Sequence, residues 1–216
     1  MSKNLIKGDI ERSLLVDGIL PAGVDEVGRG CLAGPVVAAC VALDYEKLFS
    51  LDETVLSKIR DSKTLTGKQR SELISLIEGL SLGMGLGVAS PREIESSGIL
   101  GATFMAMNRA IASIKTIKID MLLVDGNQRI KNQTIAQQTV VRGDSLCFAI
   151  AAASIYAKEF RDSYMRDRAA ELPHWGFDKH VGYGTAEHLS AINTHGICDL
   201  HRKNFAPIRD RLEITP

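Results

Sequence analysis

Ionisable side chains stand in this sequence where an apolar strand should have none. Asp25-Glu26 falls within the otherwise apolar run 22–27. Asp125 closes the run Met121-Leu122-Leu123-Val124, and Asp144 follows Val140-Val141-Arg142-Gly143, where strand passes into helix. A carboxylate at the end of a buried strand loses its hydration unless a partner compensates it. Taken singly, each acid is better read as a helix cap or an ion-pair partner, and Asp144 could be the N-cap of the helix after it. Three such places in one chain instead suggest a shared compensator. A pair of divalent cations, which favour oxygen ligands, would supply it.

The rest of the pattern says what carries these acids. Residues 22–27 and 36–43 read as two strands paired as a hairpin through a short glycine-containing connection. Residues 82–89, alternating with glycines, read as a third strand, 119–124 as a fourth and 139–141 as a fifth. Residues 4–16 carry Leu5, Ile6, Ile10, Leu14 and Leu15 at the spacing of a short amphipathic helix. Residues 45–66 look polar and irregular. Residues 68–80 place Leu73, Ile74, Ile77 and Leu80 on one helical face. Pro91 opens a helical segment in the first-turn position that proline favours. Leu100, Phe104, Met107, Ile111 and Ile114 continue it as an amphipathic helix. A long helix is expected over 145–170 and another over 185–193, with a charged tail or short helix to follow. The order strand, strand, helix, strand, helix, strand, strand, helix predicts an α/β domain with a mixed sheet. No repeat or linker divides the chain, so a single domain over 1–216 is expected, with a C-terminal helical extension from about residue 160.

Composition narrows the setting but not the chemistry. Hydrophobic residues make up 45% and charged residues 24%, the balance of a soluble globular protein. Lys and Arg together number 26, as do Asp and Glu, so net charge is silent about nucleic acid. Gripping phosphates needs a local basic surface, not a basic total. Cys31, Cys40, Cys147 and Cys198 form no Cys-x-x-Cys pair and read as free thiols in a reducing compartment. The first eleven residues are too polar for a signal peptide. The longest apolar runs are too short to span a bilayer. A cytoplasmic protein that does not engage membrane is therefore expected.

Gly28-Arg29-Gly30 directly follows the acid pair. Glycines let backbone amides approach a ligand closely, and an arginine can pair with phosphate. By itself the triplet is a weak signal and reads more readily as a turn with a surface arginine. Beyond that point the residues resemble a family. Val24-Asp25-Glu26-Val27-Gly28-Arg29-Gly30, with Leu32-Ala33-Gly34-Pro35-Val36-Val37-Ala38-Ala39 after it, resembles the signature of ribonuclease HII. Asp61-Ser62-Lys63 with Leu65, then Leu123-Val124-Asp125-Gly126, resemble its next blocks. Gly143-Asp144, residues 150–158 and Arg161-Asp162 resemble the fourth. Gly182-Tyr183-Gly184-Thr185, His188 and His201-Arg202 resemble the last. The blocks occur in family order over residues 22–207, and the ordered set is far more specific than any one of them.

The resemblance implies a ribonuclease H-like fold, a mixed five-stranded sheet flanked by helices, with a C-terminal extension bearing Tyr183. It implies an endonuclease acting on the RNA strand of RNA–DNA hybrids and on single ribonucleotides in duplex DNA, leaving 5′-phosphate and 3′-hydroxyl ends. Asp25, Glu26, Asp125 and Asp144 would be the catalytic carboxylates holding Mn2+ or Mg2+. Two such ions about 4 Å apart suit phosphodiester hydrolysis, with Asp25 and Asp125 the main holders of the ion beside the attacking water. Gly28, Arg29 and Gly30 would read the 2′-hydroxyl, the group by which RNA is told from DNA. Tyr183 would pack on the deoxyribose at the RNA-to-DNA junction, and Lys63 would contact phosphate. The enzyme is expected to act as a monomer. Without the resemblance, Tyr183 reads as a turn aromatic, and Lys63 and Lys158 read equally as solvated lysines. Tyr156 departs from the aliphatic residue expected in its block, a change of packing. Residues 45–58 form a longer connection than the family needs.

Two further patterns stay outside the predicted site. Asp162 follows Asp144 by 18 residues, and a continuous helix would separate them by about 27 Å. It is therefore read as an ion-pair partner of a nearby arginine such as Arg161. His195-x-x-Cys198-x-x-His201, with His188 upstream, invites a zinc reading, but its spacing is not that of a standard structural pair. These histidines are expected to be surface groups or internally satisfied.

Overall fold

The structure, a computed structural model, describes residues 7–60 and 67–212. A helix, α1 (Asp9–Val16), leads into the strands β1 (Pro21–Val27) and β2 (Val36–Leu43). Two short helices follow, α2 (Tyr45–Phe49) and α3 (Glu53–Arg60), then α4 (Gly67–Leu80), β3 (Ser81–Ala89) and α5 (Pro91–Ser113). Next come β4 (Met121–Asp125), β5 (Ala136–Val140), α6 (Gly143–Leu146) and α7 (Phe148–Glu171). The extension holds α8 (Phe177–His180), α9 (Ala186–His195) and α10 (Ile208–Leu212). The sheet order is β3-β2-β1-β4-β5. β1 pairs antiparallel with β2, and β2 with β3, whereas β1–β4 and β4–β5 are parallel. The predicted hairpin and mixed five-stranded sheet are both present.

Helices cover both faces of the sheet, so its central strands must be apolar on both sides. All eight residues of β2 are buried. Strand alternation sends Val36, Ala38, Cys40 and Ala42 to the face that α5 covers, and Val37, Ala39, Val41 and Leu43 to the face of α7 and α4. The glycines of β3 have a packing reason. A side chain on Gly85 would meet the Ala110 carbonyl, and one on Gly87 the Ala106 carbonyl, so α5 lies directly on the strand backbone. On the opposite face, Gly23 of β1 lets the Ala149–Ile150 backbone of α7 approach as closely.

Several expectations need correction. Residues 45–60 are not irregular: they form α2, N-capped by the Asp44 side chain on Lys47 N, and then α3. The fifth strand begins earlier than expected, at Ala136. The long helix is broken at Cys147, whose extended backbone (φ −123°, ψ 133°) separates α6 from α7. Asp144 is not an N-cap but lies within α6, behind Arg142 in that place. The helix that Pro91 opens is closed at its start by a capping box of Ser90 and Glu93 and kinks at Gly98 (φ 70°). α7 runs unbroken through residue 160, and the helices of the extension begin after Leu172. Residues 4–6 of the predicted first helix, and the block Asp61-Ser62-Lys63 with Leu65, lie outside the described residues. No described helix is long and apolar enough to cross a membrane.

Candidate active site

β1 is where the sheet changes from antiparallel to parallel, and ligands of open α/β sheets gather beyond the carboxyl ends of parallel strands. Val24 pairs with Val124, so Asp25 and Asp125 each stand one residue further along the adjacent strands β1 and β4. Alternation turns Asp25 towards α7, where Ser154 bonds its carboxylate, and Glu26 towards the α5 side. There Glu26 and Asp125 line a cleft of about 90 Å³ together with Arg29, Phe104 and Met107.

Asp25 is 7% exposed. Burial, then the charges of Glu26 and Asp125, push its carboxyl up to about 8, against the bonds from Ser154 and the Glu26 amide. The Glu26 N–H donates to Asp25 Oδ1 at 2.8 Å. Burial also raises Glu26, countered chiefly by Arg29, whose Nη1 lies 2.9 Å from Glu26 Oε1. Asp125 Oδ1 accepts the Gly143 amide at 2.7 Å, which draws α6, and with it Asp144, up to the end of β4. Lys7, 8% exposed, fixes α6 from behind, donating to the Asp144 carbonyl at 2.6 Å and the Ile59 carbonyl at 3.3 Å.

The structure thus brings Asp25, Glu26 and Asp125 into mutual electrostatic range and joins Asp144 to them through the Gly143 amide. Among the described residues, however, no three His, Cys, Asp or Glu side chains are grouped closely enough to hold an ion as they stand. The donor set itself fits a hard divalent cation, being all carboxylate oxygen, with a repulsion that a cation would relieve.

The connection 28–35 is held from beneath by two arginines that are fully buried. Arg202 donates through Nε to Gly34 O, through Nη1 to Arg29 O and through Nη2 to Gly28 O. Arg161 donates to Pro35 O, Val181 O and Ala33 O. Gly28 (φ 88°) needs to be glycine for this internal reason, because a Cβ there would meet Arg161 Nε. Gly30 differs: nothing lies within 4 Å of its missing side chain, so its face is open to a ligand. Tyr183 reaches the same loop from the extension. Its ring is 41% exposed and its hydroxyl bonds the Cys31 thiol, while the Gly182 carbonyl accepts from Leu32 N and Ala33 N.

Sequence reasoning left Arg161, Arg202, Ser154, Gly143 and Lys7 without these roles. Their partners lie far off in the chain, so no spacing betrays them; only the blocks containing four of the five marked the region. Where an arginine was expected, the ion pair that Asp162 makes among the described residues is with Lys158 at 2.9 Å, one helical turn away. This also gives Lys158 a partner. Tyr156 packs against the apolar cluster between α7 and the sheet. The zinc reading has no support among the described residues. His188 and His201 are buried and internally bonded, whereas His195 is exposed and stacks on His174.

The pattern of the Ribonuclease HII family matches residues 22–208. The chain is 46% identical over 209 residues to the Ribonuclease HII of Trichodesmium erythraeum (strain IMS101), covering 94% of this chain and 97% of that protein. Among solved structures, the ribonuclease H2 from Pyrococcus horikoshii OT3 superposes with a TM-score of 0.68 at 23% identity, covering 90% of this chain and 98% of that one. Bst-RNase HIII in complex with Mn2+ superposes with a TM-score of 0.65 at 15% identity, covering 91% and 70%. At those identities the likeness speaks for the fold, which is ribonuclease H-like. With a family pattern spanning nearly the whole chain and a relative matched end to end, the chain belongs to the ribonuclease HII family, and so to the ribonuclease H enzymes.

Proposed function

We propose that this enzyme is an endonuclease hydrolysing the RNA strand of RNA–DNA hybrids, including single ribonucleotides embedded in duplex DNA, to leave 5′-phosphate and 3′-hydroxyl ends. The observation that carries the reading is the meeting of Asp25, Glu26 and Asp125 at the ends of adjacent strands, beside the open backbone of Gly30. Asp25, Glu26, Asp125 and Asp144 would hold Mg2+ or Mn2+, and the crystallised Mn2+ complex of Bst-RNase HIII makes manganese a reasonable first choice. Such ions, when bound, lower the pKa of a water and neutralise charge on a leaving oxygen.

The chain's own groups orient and discriminate. Arg29, exposed and already beside Glu26, is placed to pair with a backbone phosphate. The amides around Gly28 and Gly30 read the 2′-hydroxyl, so selection rests on the sugar and not on base sequence. Tyr183 offers a flat ring to a deoxyribose, which has no 2′-hydroxyl to strand against it. Lys63 is proposed as a further phosphate contact. Residues 1–216 are read as one catalytic domain acting as a monomer. Four free cysteines suit a reducing, cytoplasmic setting.

A duplex DNA with one embedded ribonucleotide, incubated with Mg2+ or Mn2+, tests this. Cleavage at the ribonucleotide is expected, and intact substrate at high enzyme concentration would overturn it. Asp25→Asn and Asp125→Asn should abolish cleavage while hybrid affinity persists. Equal cutting of ribose-free duplex would point to another nuclease activity on the same fold.

A further inference from the structure

All five histidines of the chain lie between residues 174 and 201, in the extension that carries Tyr183. Three of them are buried and form one connected arrangement. The Cys198 amide donates to His201 Nδ1 at 2.9 Å. The Cys198 carbonyl is also near that nitrogen, at 3.3 Å, but the shorter contact comes from an amide, which can only donate, so Nδ1 is the acceptor. The His201 proton therefore sits on Nε2 and points to His188 Nε2 at 3.1 Å. His188 must then carry its own proton on Nδ1, which donates to the Tyr183 carbonyl at 2.8 Å. This assignment makes each contact from the Cys198 amide to the Tyr183 carbonyl a hydrogen bond, accommodates the Cys198 thiol 3.2 Å from His201 Nδ1 as a further donor, and leaves only the longer Cys198 carbonyl contact unmade.

The third ring buttresses the second. His180 stacks on His188 with centroids 4.4 Å apart and planes 17° from parallel. Its Nδ1 accepts the Gly182 amide at 3.2 Å and its Nε2 lies 2.7 Å from the Trp175 carbonyl. The backbone on both sides of Tyr183 is thus gripped by imidazoles. The far end of the series is fixed as well, because His201 forms an isolated bridge with Ala33 of the glycine-bearing connection. Burial depresses both His188 and His201 to about 4, so each is neutral in ordinary buffers and keeps the acceptor the series needs.

We infer that His188 and His201, buttressed by His180, are positioning residues that lock the Tyr183 backbone to the 28–35 connection and thereby set where its ring meets the substrate. This rests on the reading of Tyr183 as the group that packs on the junction deoxyribose. A pair of histidines serving stability alone would affect every substrate equally. A positioning pair affects most the substrate whose recognition depends on Tyr183.

The test compares cleavage of a single embedded ribonucleotide with cleavage of a uniform RNA strand paired to DNA. Tyr183→Ala sets the benchmark: it should lower the ratio of the first rate to the second. His188→Leu, which removes the donor to Tyr183, should lower the same ratio about tenfold, the worth of one buried hydrogen bond. His188→Asn, which keeps an N–H in that direction, should recover most of it. In a Tyr183→Ala background, His188→Leu should change the ratio no further. An unchanged ratio in Tyr183→Ala would sink the reading of Tyr183. A changed ratio there with equal losses on both substrates in His188→Leu would sink this inference alone. The wild-type protein supplies an independent check if the variants fold poorly. Imidazole 15N shifts should show His188 as the Nδ1–H tautomer and His201 as the Nε2–H tautomer, and the reverse assignment overturns the proposal.

Discussion

Arg202 Nη2 donates to the Gly28 carbonyl at 2.6 Å across 174 residues of sequence. With its other two bonds, and the three from Arg161, six backbone carbonyls receive all the directed hydrogen bonding of two buried guanidinium groups. Among the described residues neither arginine has a carboxylate partner, so the carbonyl dipoles take the place of counter-ions. A carbonyl that accepts from below turns its own peptide N–H the other way. The arginines therefore set the orientation of the amides proposed to read ribose, and they do so from the long helix and the extension.

Arg202→Met should be severely destabilising. It leaves the Gly34 and Arg29 carbonyls without a donor, and the Gly28 carbonyl with only the long bond from Cys31 N at 3.4 Å, at about 1–3 kcal/mol for each unmade bond. A loss of at least about 3 kcal/mol in denaturant unfolding is expected. Arg202→Lys should fall between the two, because an ammonium cannot reproduce the planar fork that addresses three carbonyls at once. Burial already lowers Arg202 to about 10, and it stays charged at neutral pH. A Met variant within about 0.5 kcal/mol of wild type, the ordinary range for a surface substitution, would show that the bonds contribute little.

The packing of β1 against α7 predicts an asymmetry between two glycines. A Cβ on Gly23 would lie 2.1 Å from the Ala149 carbonyl carbon, with only backbone around it to yield. Gly23→Ala should force α7 from the sheet and destabilise by more than the usual 1–3 kcal/mol of overpacking. Gly79, on the exposed side of α4, meets nothing within 4 Å, and Gly79→Ala should stabilise by up to about 1 kcal/mol. Paired thermal melts decide this, and similar effects at the two sites would contradict the close approach.

How much of this was legible follows from range. Asp25, Glu26 and Asp125 stand out because a charge interrupts an apolar run, a local signal. The buried face of α4 and the two-sided burial of β2 are local too. α2 and α3 escaped because helices of five and eight residues are too short to establish a period. β5 is legible only in part because it opens with an exposed Ala136 and the polar pair Gln137-Gln138. The break at Cys147 was hidden by apolar residues that continue through it. Arg161, Arg202 and the paired histidines could not be assigned from spacing, since each acts on backbone brought near only by the fold. The family blocks marked that they matter but not what they touch.

Lys7 gives a test of how α6 is held. Lys7→Met should keep much of the packing against Phe148 but lose the bond to the Asp144 carbonyl. Because groups that orient metal ligands commonly affect affinity by about 10–100-fold, Mn2+ binding by calorimetry should weaken towards that range. Unaltered affinity would mean that the Gly143–Asp125 contact and the Gly8–Leu146 backbone bond fix α6 without Lys7.

The raised carboxyl of Asp25 makes a signed prediction for the metal-free protein. Between pH 3.8, its ordinary value, and about 8, the folded chain retains a proton here that the unfolded chain has released. Stability in EDTA should therefore carry a component that is fully present at low pH and is lost as pH rises towards 8. Asp25→Asn removes that component. The variant should melt higher than wild type at pH 8 in EDTA, with the advantage shrinking towards pH 5. Mn2+ or Mg2+ must displace the same proton, so its stabilisation of wild type should grow over this window and then level off. The variant should gain little from metal at any pH. Should Asp25→Asn instead lower the metal-free melting temperature at pH 8, the carboxylate would be serving the fold through Ser154, and the cost of burying its charge, with the repulsion by Glu26 and Asp125 added to it, would not be the dominant force at the end of β1.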